Sequence, residues 1–214
     1  MLAFLGGTGP EGRGLALRFA LAGEEVTIGS RDPDRAREAA QVLQKLAPQA
    51  SIRGDENREA AKRGDVVFVT VPYEAQKPLV TQLEDELAGK LVINVVAPLA
   101  FEKGRPRAVP VEEGSAAMQS QSLLPRSKVV AAFQNLSATE LLAPDRAMEG
   151  DVVVCSDHQE AKERVMALVG LIKNLRGVDG GGLENARYVE QLTALLLSIN
   201  RIYKAHSSIR IVGV

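Results

Sequence analysis

The chain opens Met1-Leu2-Ala3-Phe4-Leu5-Gly6-Gly7-Thr8-Gly9-Pro10-Glu11-Gly12. A short apolar run passes straight into Gly-x-Gly-x-x-Gly, with glycines at 7, 9 and 12. A strand that turns through such glycines into a helix is a device for gripping a pyrophosphate. Gly7 allows the tight turn, Gly9 admits backbone N–H groups to the phosphates, and Gly12 lets the helix pack closely on the strand. The anion then meets free N–H groups and the favourable end of a helix dipole. Glycines alone are weak evidence, since many turns carry them. Their meaning here comes from the strand before and the helix after.

Working outward, Leu2–Leu5 is the first strand. Residues 13–22 form the first helix, with Leu15, Phe19 and Ala22 at helical spacing and Gly23 ending it. Residues 25–28 make the second strand, and Asp32-Pro33 opens a helix running to Leu46. Residues 51–53 are a short strand and 56–62 a short amphipathic helix. The nearly unbroken apolar run 66–71 reads as a strand buried on both faces, followed by a helix over 74–87 and a buried strand over 90–96. This alternation predicts an α/β fold: a doubly wound, mostly parallel sheet of the Rossmann type with right-handed crossovers.

Proline, glycine and charge over 101–115 predict a long surface loop. Ser115 caps a helix that ends near Pro125. Strands at 129–133 and 151–155, helices at 159–174 and 184–201, and a glycine-rich joint over 176–182 with room for a short strand follow. The chain therefore divides into a dinucleotide-binding Rossmann domain, 1–125, and a smaller part, 126–214. The smaller part completes the sheet and adds a small C-terminal helical extension.

The 214 residues suffice for one compact α/β unit with a small annex, and 45% hydrophobic with 25% charged residues is ordinary for a globule. A net charge of −1 and a pI near 6.2 give no pull toward nucleic acid or an anionic membrane. The single cysteine, Cys155, cannot form a disulfide within the chain, which fits a cytoplasmic protein. The N-terminus lacks the pattern of a signal peptide, and the apolar run 192–199 is too short to span a bilayer. Two histidines and one cysteine argue against a zinc site, so no metal is expected.

The tip of the second strand selects the dinucleotide. NAD binders place an acidic residue there, against the ribose hydroxyls. Here the strand ends Ile28-Gly29-Ser30-Arg31, with Arg35 one helical turn on. A hydroxyl and two guanidiniums make a socket for a 2′-phosphate dianion, which reads as NADP. Asp32 is close, but its place is that of a helix cap. Val71-Pro72-Tyr73 closes the next inner strand, where Tyr73 either packs against the cofactor or caps core. Residues 94–98, Ala97 among them, end at the same edge, where ligand contacts gather in this kind of sheet.

These residues support a family comparison. Gly6-Gly7-Thr8-Gly9 with Gly12 and Gly14-Leu15-Ala16-Leu17-Arg18, then Gly29-Ser30-Arg31, then Thr70-Val71-Pro72-Tyr73-Glu74, resemble the F420H2:NADP oxidoreductases. The resemblance runs on through Lys128–Phe133, Asp151–Cys155 and Val189–Thr193, nearly the whole length. It implies a homodimer that transfers a hydride between NADP(H) and the deazaflavin coenzyme F420. It also implies that Thr8, Gly9, Pro10 and Glu11 hold the pyrophosphate, that Ser30, Arg31 and Arg35 hold the 2′-phosphate, and that Tyr73 and Ala138 lie along the NADP. The deazaflavin would stack on the nicotinamide near Gln134, Asn135, Leu136 and Ser137. Some members carry histidine where this chain has Gln134, and a glutamine can still donate a hydrogen bond there.

Such a reaction moves a hydride directly between two ring carbons, so no side chain is expected to act as a catalytic acid or base. His206 is either a proton relay or a surface or subunit contact. Lys204, Arg201 and Arg210 either grip an anionic coenzyme tail or form a solvated face. Two other readings compete: an NADP-dependent reductase of an imine, a hydroxy acid or a metal chelate, and a non-enzymatic NADP-sensing module. Many reductases of the first kind add a large helical domain for which this chain has no length.

Overall fold

The computed structural model describes residues 1–214. Strand β1 (Leu2–Leu5) is wholly buried and turns at Gly6 into helix α1 (Pro10–Leu21), which carries proline in its first turn. Strand β2 (Val26–Ser30) leads to α2 (Pro33–Leu46), begun by Asp32, whose carboxylate accepts from the amides of Asp34 at 2.9 Å and Arg35 at 3.3 Å. Asp32 is thus the helix cap expected of it. There follow β3 (Ile52–Glu56), α3 (Asn57–Arg63) and β4 (Val66–Val69).

The helix expected over 74–87 is broken. It runs as α4 (Tyr73–Gln82) and a single turn, α5 (Glu84–Leu87), separated by Leu83 at ψ 15°. After β5 (Leu91–Asn94) comes a larger difference. Part of the predicted loop 101–115 is an antiparallel hairpin of β6 (Leu99–Glu102) and β7 (Arg105–Ala108). Its two-residue turn puts both Lys103 (φ 50°) and Gly104 (φ 73°) in the left-handed region, the geometry that matches strand twist in a tight hairpin. Pro106 masked the strand in the sequence, and it is tolerated because the ribbon has only two strands and no inner position.

The remainder comprises α6 (Ala116–Leu123), β8 (Lys128–Ala131), α7 (Ala138–Leu141), β9 (Gly150–Val154), α8 (Gln159–Leu171), β10 (Leu175–Asp179), a 3-10 turn (Leu183–Asn185) and α9 (Ala186–Tyr203). Ser115 caps α6, accepting from the Met118 amide at 3.0 Å. The glycine-rich joint therefore contains a full strand, β10, paired in parallel with β9.

Six parallel strands form the main sheet in the order β3-β2-β1-β4-β5-β8. β9 and β10 form a separate two-stranded ribbon, linked to the main sheet by an antiparallel bridge between Ala131 and Cys155. Alternate residues of β4 serve opposite cores, as the pleat requires: Val66 and Phe68 on one face, Val67 and Val69 on the other. The first face, under α1, α2 and α8, holds the aromatic cluster Phe4, Phe19, Phe68 and Phe133, with the Phe4 and Phe68 rings stacked at 4.5 Å. The second lies under α3, α4 and α6. No helix is long and apolar enough to cross a membrane.

Candidate active site

Because the six strands are parallel, their carboxyl ends open at one edge, and the chain reverses direction of travel across the sheet between β1 and β4. Two cavities lie there. One of about 1000 Å³ runs from the glycine turn to the tip of β2, and one of about 600 Å³ lies between β8 and α9; Thr70 and Val71 line both. They adjoin at these two residues.

The floor at this junction is built by close approach. Gly6, not Gly7, has the left-handed backbone of the turn, at φ 66°, and a Cβ there would lie 2.1 Å from Val71 Cγ1. The Gly6 amide donates to Asn57 Oδ1 at 3.0 Å, which ties the turn to the start of α3. Gly7 and Gly12 press on each other: a Cβ on Gly12 would meet Gly7 Cα at 2.6 Å and Thr70 Oγ1 at 2.7 Å. Gly9 faces open space, with nothing within 4 Å of a Cβ built on it. Thr70 is held by its own hydroxyl, which donates to Leu5 O at 2.9 Å.

The larger cavity brings together Thr8, Gly9, Pro10, Ser30, Arg31, Arg35, Val71 and Pro72 of the residues singled out above. Ser30 is buried, and its hydroxyl accepts from the Asp32 amide at 3.2 Å. Arg31 and Arg35 are exposed, and neither guanidinium has an ion-pair partner in the protein. Asn57 and Glu74 are among the further lining residues that the sequence expectation did not place at the site.

The smaller cavity collects Glu11, Val71, Ala97, Gln134, Asn135, Leu136, Ser137 and Ala138. Their placement starts at Phe133, whose φ of 75° bends the chain sharply as it leaves β8 while its ring stays in the aromatic cluster. Gln134 Nε2 then donates to Asn94 O at 3.0 Å, and Asn135 Nδ2 donates to Val189 O at 2.9 Å. Thr193 on α9 donates to Gln134 O at 3.1 Å. Gln134 Oε1 is left buried without a partner. Gln134 thus carries a free acceptor in Oε1, while one of its two amide hydrogens is taken by Asn94 O. Ser137 Oγ lies 3.3 Å from His206 Nδ1, which brings the C-terminal segment to the cavity wall.

The segment after Ala138 is clamped on α1. Arg18 Nη2 donates to Glu140 O at 2.6 Å and Ala143 O at 2.7 Å, and its Nε donates to Leu141 O at 3.0 Å. Gly14 permits the approach, since a Cβ there would sit 2.5 Å from Leu141 Cβ. Glu11, in the first turn of the same helix, reaches the cavity with a buried and unpartnered Oε1, and burial pushes its carboxyl up to about 8. Cys155 is buried in strand surroundings that push its thiol up to about 11, so it is inert core.

Three of the residues singled out lie outside both cavities. Gly7 and Gly12 form the packing beneath the turn, and Tyr73 points to α6, where its hydroxyl accepts from Gln119 Nε2 at 3.3 Å. Tyr73 is half-buried and packs against the second core. Thr193, Asn200 and His206 line the smaller cavity although they stand far along the chain. Nothing local marks Thr193 or Asn200 in the sequence, because their role depends on where α9 docks.

Residues 1–98 match the family model described as NADP oxidoreductase, coenzyme F420-dependent. The chain is 41% identical over 210 residues to an F420-dependent NADP reductase of Methanocaldococcus jannaschii, covering 95% of this chain and 94% of that one. It is 40% identical over 205 residues to the F420-dependent NADP reductase of Methanothermobacter thermautotrophicus, covering 93% and 88%. A crystal structure from Arthrobacter sp. FB24, of a candidate F420-dependent NADP reductase, superposes with a TM-score of 0.83 at 27% identity over 99% of both chains.

Proposed function

The chain belongs to the coenzyme F420-dependent NADP oxidoreductase family, and we propose that it binds NADP(H) and F420 in the two joined cavities and moves a hydride between them. The observation that carries this reading is that the two cavities meet at Thr70 and Val71, one holding two unpaired guanidiniums and the other half apolar. A dinucleotide phosphate needs such a span, with a cationic end for the 2′-phosphate and a flat, dry end for the ring.

Arg31 and Arg35 bind the 2′-phosphate, with the Ser30 hydroxyl beside them. Residues Thr8 to Glu11 hold the pyrophosphate at the α1 N-terminus, through the backbone N–H groups of Thr8, Gly9 and Glu11 since Pro10 has none, and the open side of Gly9 supports this. Val71, Pro72, Ala97 and Ala138 line the path of the nicotinamide, and Gln134, Asn135, Leu136 and Ser137 meet the deazaflavin. The coenzymes supply the hydride chemistry. The protein's part is to hold the two rings together and to keep out water, and rigid anchoring of residues 134–143 by Arg18, Asn94 and Thr193 suits that task.

In this reading residues 1–125 form the NADP-binding domain. Residues 126–214 supply β8, the ring chamber and the subunit contact of a cytoplasmic homodimer. Exposed Phe101 on the hairpin, and Leu195 and Ile202 on α9, support the dimer, since these apolar side chains lie on two elements that pack together. Sedimentation at micromolar concentration checks it: a species of one chain mass, about 23 kDa, would refute the dimer.

Activity is tested by mixing the protein with NADPH and oxidised F420 and following the deazaflavin absorbance. NADPH binding without any bleaching would overturn the reaction. Arg31→Ala should weaken NADPH about 30-fold, roughly the 2 kcal/mol of one charge-assisted contact, and leave NADH unchanged. Equal weakening of both would remove the 2′-phosphate socket.

A further inference from the structure

Gripping a pyrophosphate uses the backbone amides at the start of α1 and has no use for the Glu11 carboxyl. A carboxylate beside that anion is in fact repulsive. Yet the side chain is there, and its Oε1 is buried with no hydrogen-bond partner. It is the one acidic side chain in the wall of the smaller cavity, where the same wall carries Gln134 to Ala138.

The charged groups around it are few. Arg201 and His206 share the cavity wall. On α1 itself, Arg18 is engaged by backbone carbonyls, and Arg13 has a buried Nε without a partner. On α7, Glu140 is paired with Arg146 at 3.1 Å. At the tip of β2, Arg31 and Asp32 belong to the larger cavity. None of these forms an ion pair with Glu11, and burial alone raises its carboxyl to about 8. The group is therefore neutral near pH 7 until a cation arrives beside it.

One ligand of this cavity changes charge as it reacts: the nicotinamide ring is cationic when oxidised and neutral when reduced. We propose that Glu11 senses the charge of the nicotinamide ring, being ionised beside NADP+ and protonated beside NADPH, so that the two coenzyme forms differ by one bound proton at this side chain. This rests on the placing of the nicotinamide in the smaller cavity proposed above. A positive charge within about 4–6 Å lowers a carboxyl by 1–3 pH units, enough to cross neutrality from the raised value.

The balance of the full exchange is consistent with this. Protonated Glu11, NADPH and oxidised deazaflavin become ionised Glu11, NADP+ and reduced deazaflavin. The nicotinamide C–H bond breaks with its electron pair, which forms the new C–H bond on the deazaflavin. The one further proton that the deazaflavin takes up is matched by the one that leaves Glu11.

Calorimetric titration of the protein with NADP+ and, separately, with NADPH tests this without any deazaflavin. Titrations in two buffers of different ionisation enthalpy give the protons released. At pH 7 NADP+ should release about 0.4–0.9 of a proton more than NADPH, and the ratio of the two Kd values should change by up to about tenfold per pH unit below pH 8. Glu11→Gln should abolish both effects. Protonation of the 2′-phosphate is common to the two coenzymes and cancels. No difference between the coenzymes in the wild-type protein would overturn the proposal, and so would a difference that persists in Glu11→Gln, which would place the proton on His206. Failure of the wild-type protein to bind NADPH at all would overturn the proposed function instead.

Discussion

At the scale of single residues, burial of two carboxyls sets a pH dependence of stability. Glu11 is raised to about 8 and Glu190 to about 7, in each case chiefly by desolvation. Unfolded, both release their protons near the ordinary carboxylate value of 4.5. Between that value and the folded ones the unfolded chain binds fewer protons, so stability falls as pH rises from 4.5 toward 8. Glu11→Gln removes its share of this loss. The variant should melt higher than the parent at pH 8 and equally at pH 4.5, read by circular dichroism. A variant that melts lower at pH 8 would show that the ionised carboxylate has a partner in the folded protein. Residue types also explain what was legible: Ser30 and Arg31 at the tip of β2 and Arg35 in the first turn of α2 line one cavity, a placement readable because they stand at or just after a strand end. The turn glycine was assigned one place late, to Gly7, because sequence spacing does not reveal which glycine takes the left-handed backbone.

At the scale of elements, α9 is joined to α6 through Glu190. Its two carboxylate oxygens accept from the amides of Ala116 at 2.8 Å and Ala117 at 3.0 Å, which are otherwise unpaired amides of a helix start. Thr193, one turn on, holds Gln134 O. Glu190→Ala leaves two buried amides without acceptors and should cost about 3 kcal/mol in chemical denaturation. Because α9 also forms the wall of the ring chamber, the same change should weaken F420 more than NADPH. Equal weakening would mean that α9 has no separate role in deazaflavin binding. The sequence reading lacked β6, β7 and α7 and gave β10 only as a short strand in the glycine-rich joint; β7 and β10 carry Pro106 and Gly177 and show no apolar alternation. Both are strands because a partner segment pairs with them, which is a tertiary circumstance.

At the scale of the whole molecule, the C-terminal tail closes the smaller cavity from a distance. Asp151 is buried and takes the Arg176 guanidinium in a two-pronged contact at 2.9 and 2.8 Å, while also accepting from the Ile211 amide. Arg176 in turn donates to Ile211 O and Val214 O. The Arg176 contact and the Ile211 amide hold the Asp151 carboxyl down at about 2. A lowered carboxyl stabilises above its unfolded value of 3.8 and loses that contribution only as pH falls through about 2. The tail should thus stay docked in mild acid. Asp151→Asn should expose it to limited proteolysis at pH 7 and, since His206 and Ser207 stand in the cavity wall, raise the KM for F420 while leaving NADPH binding intact. A protected tail in that variant would show that the ion pair is dispensable.

The sequence by itself determined the strand–glycine–helix start, the doubly wound parallel sheet and the choice of a 2′-phosphate over a free ribose. These depend on residues adjacent in the chain, whose spacing and apolar period are set locally. Only the tertiary structure decided the smaller cavity. Residues 11, 70, 134, 193 and 206 meet there because the strands end at one edge and α9 folds back over it. It also packed Tyr73 against the second core and left Gln134 Oε1 and Glu11 Oε1 buried without partners. A side chain's partners and its exposure to water are set by packing between distant segments, and no local spacing encodes them.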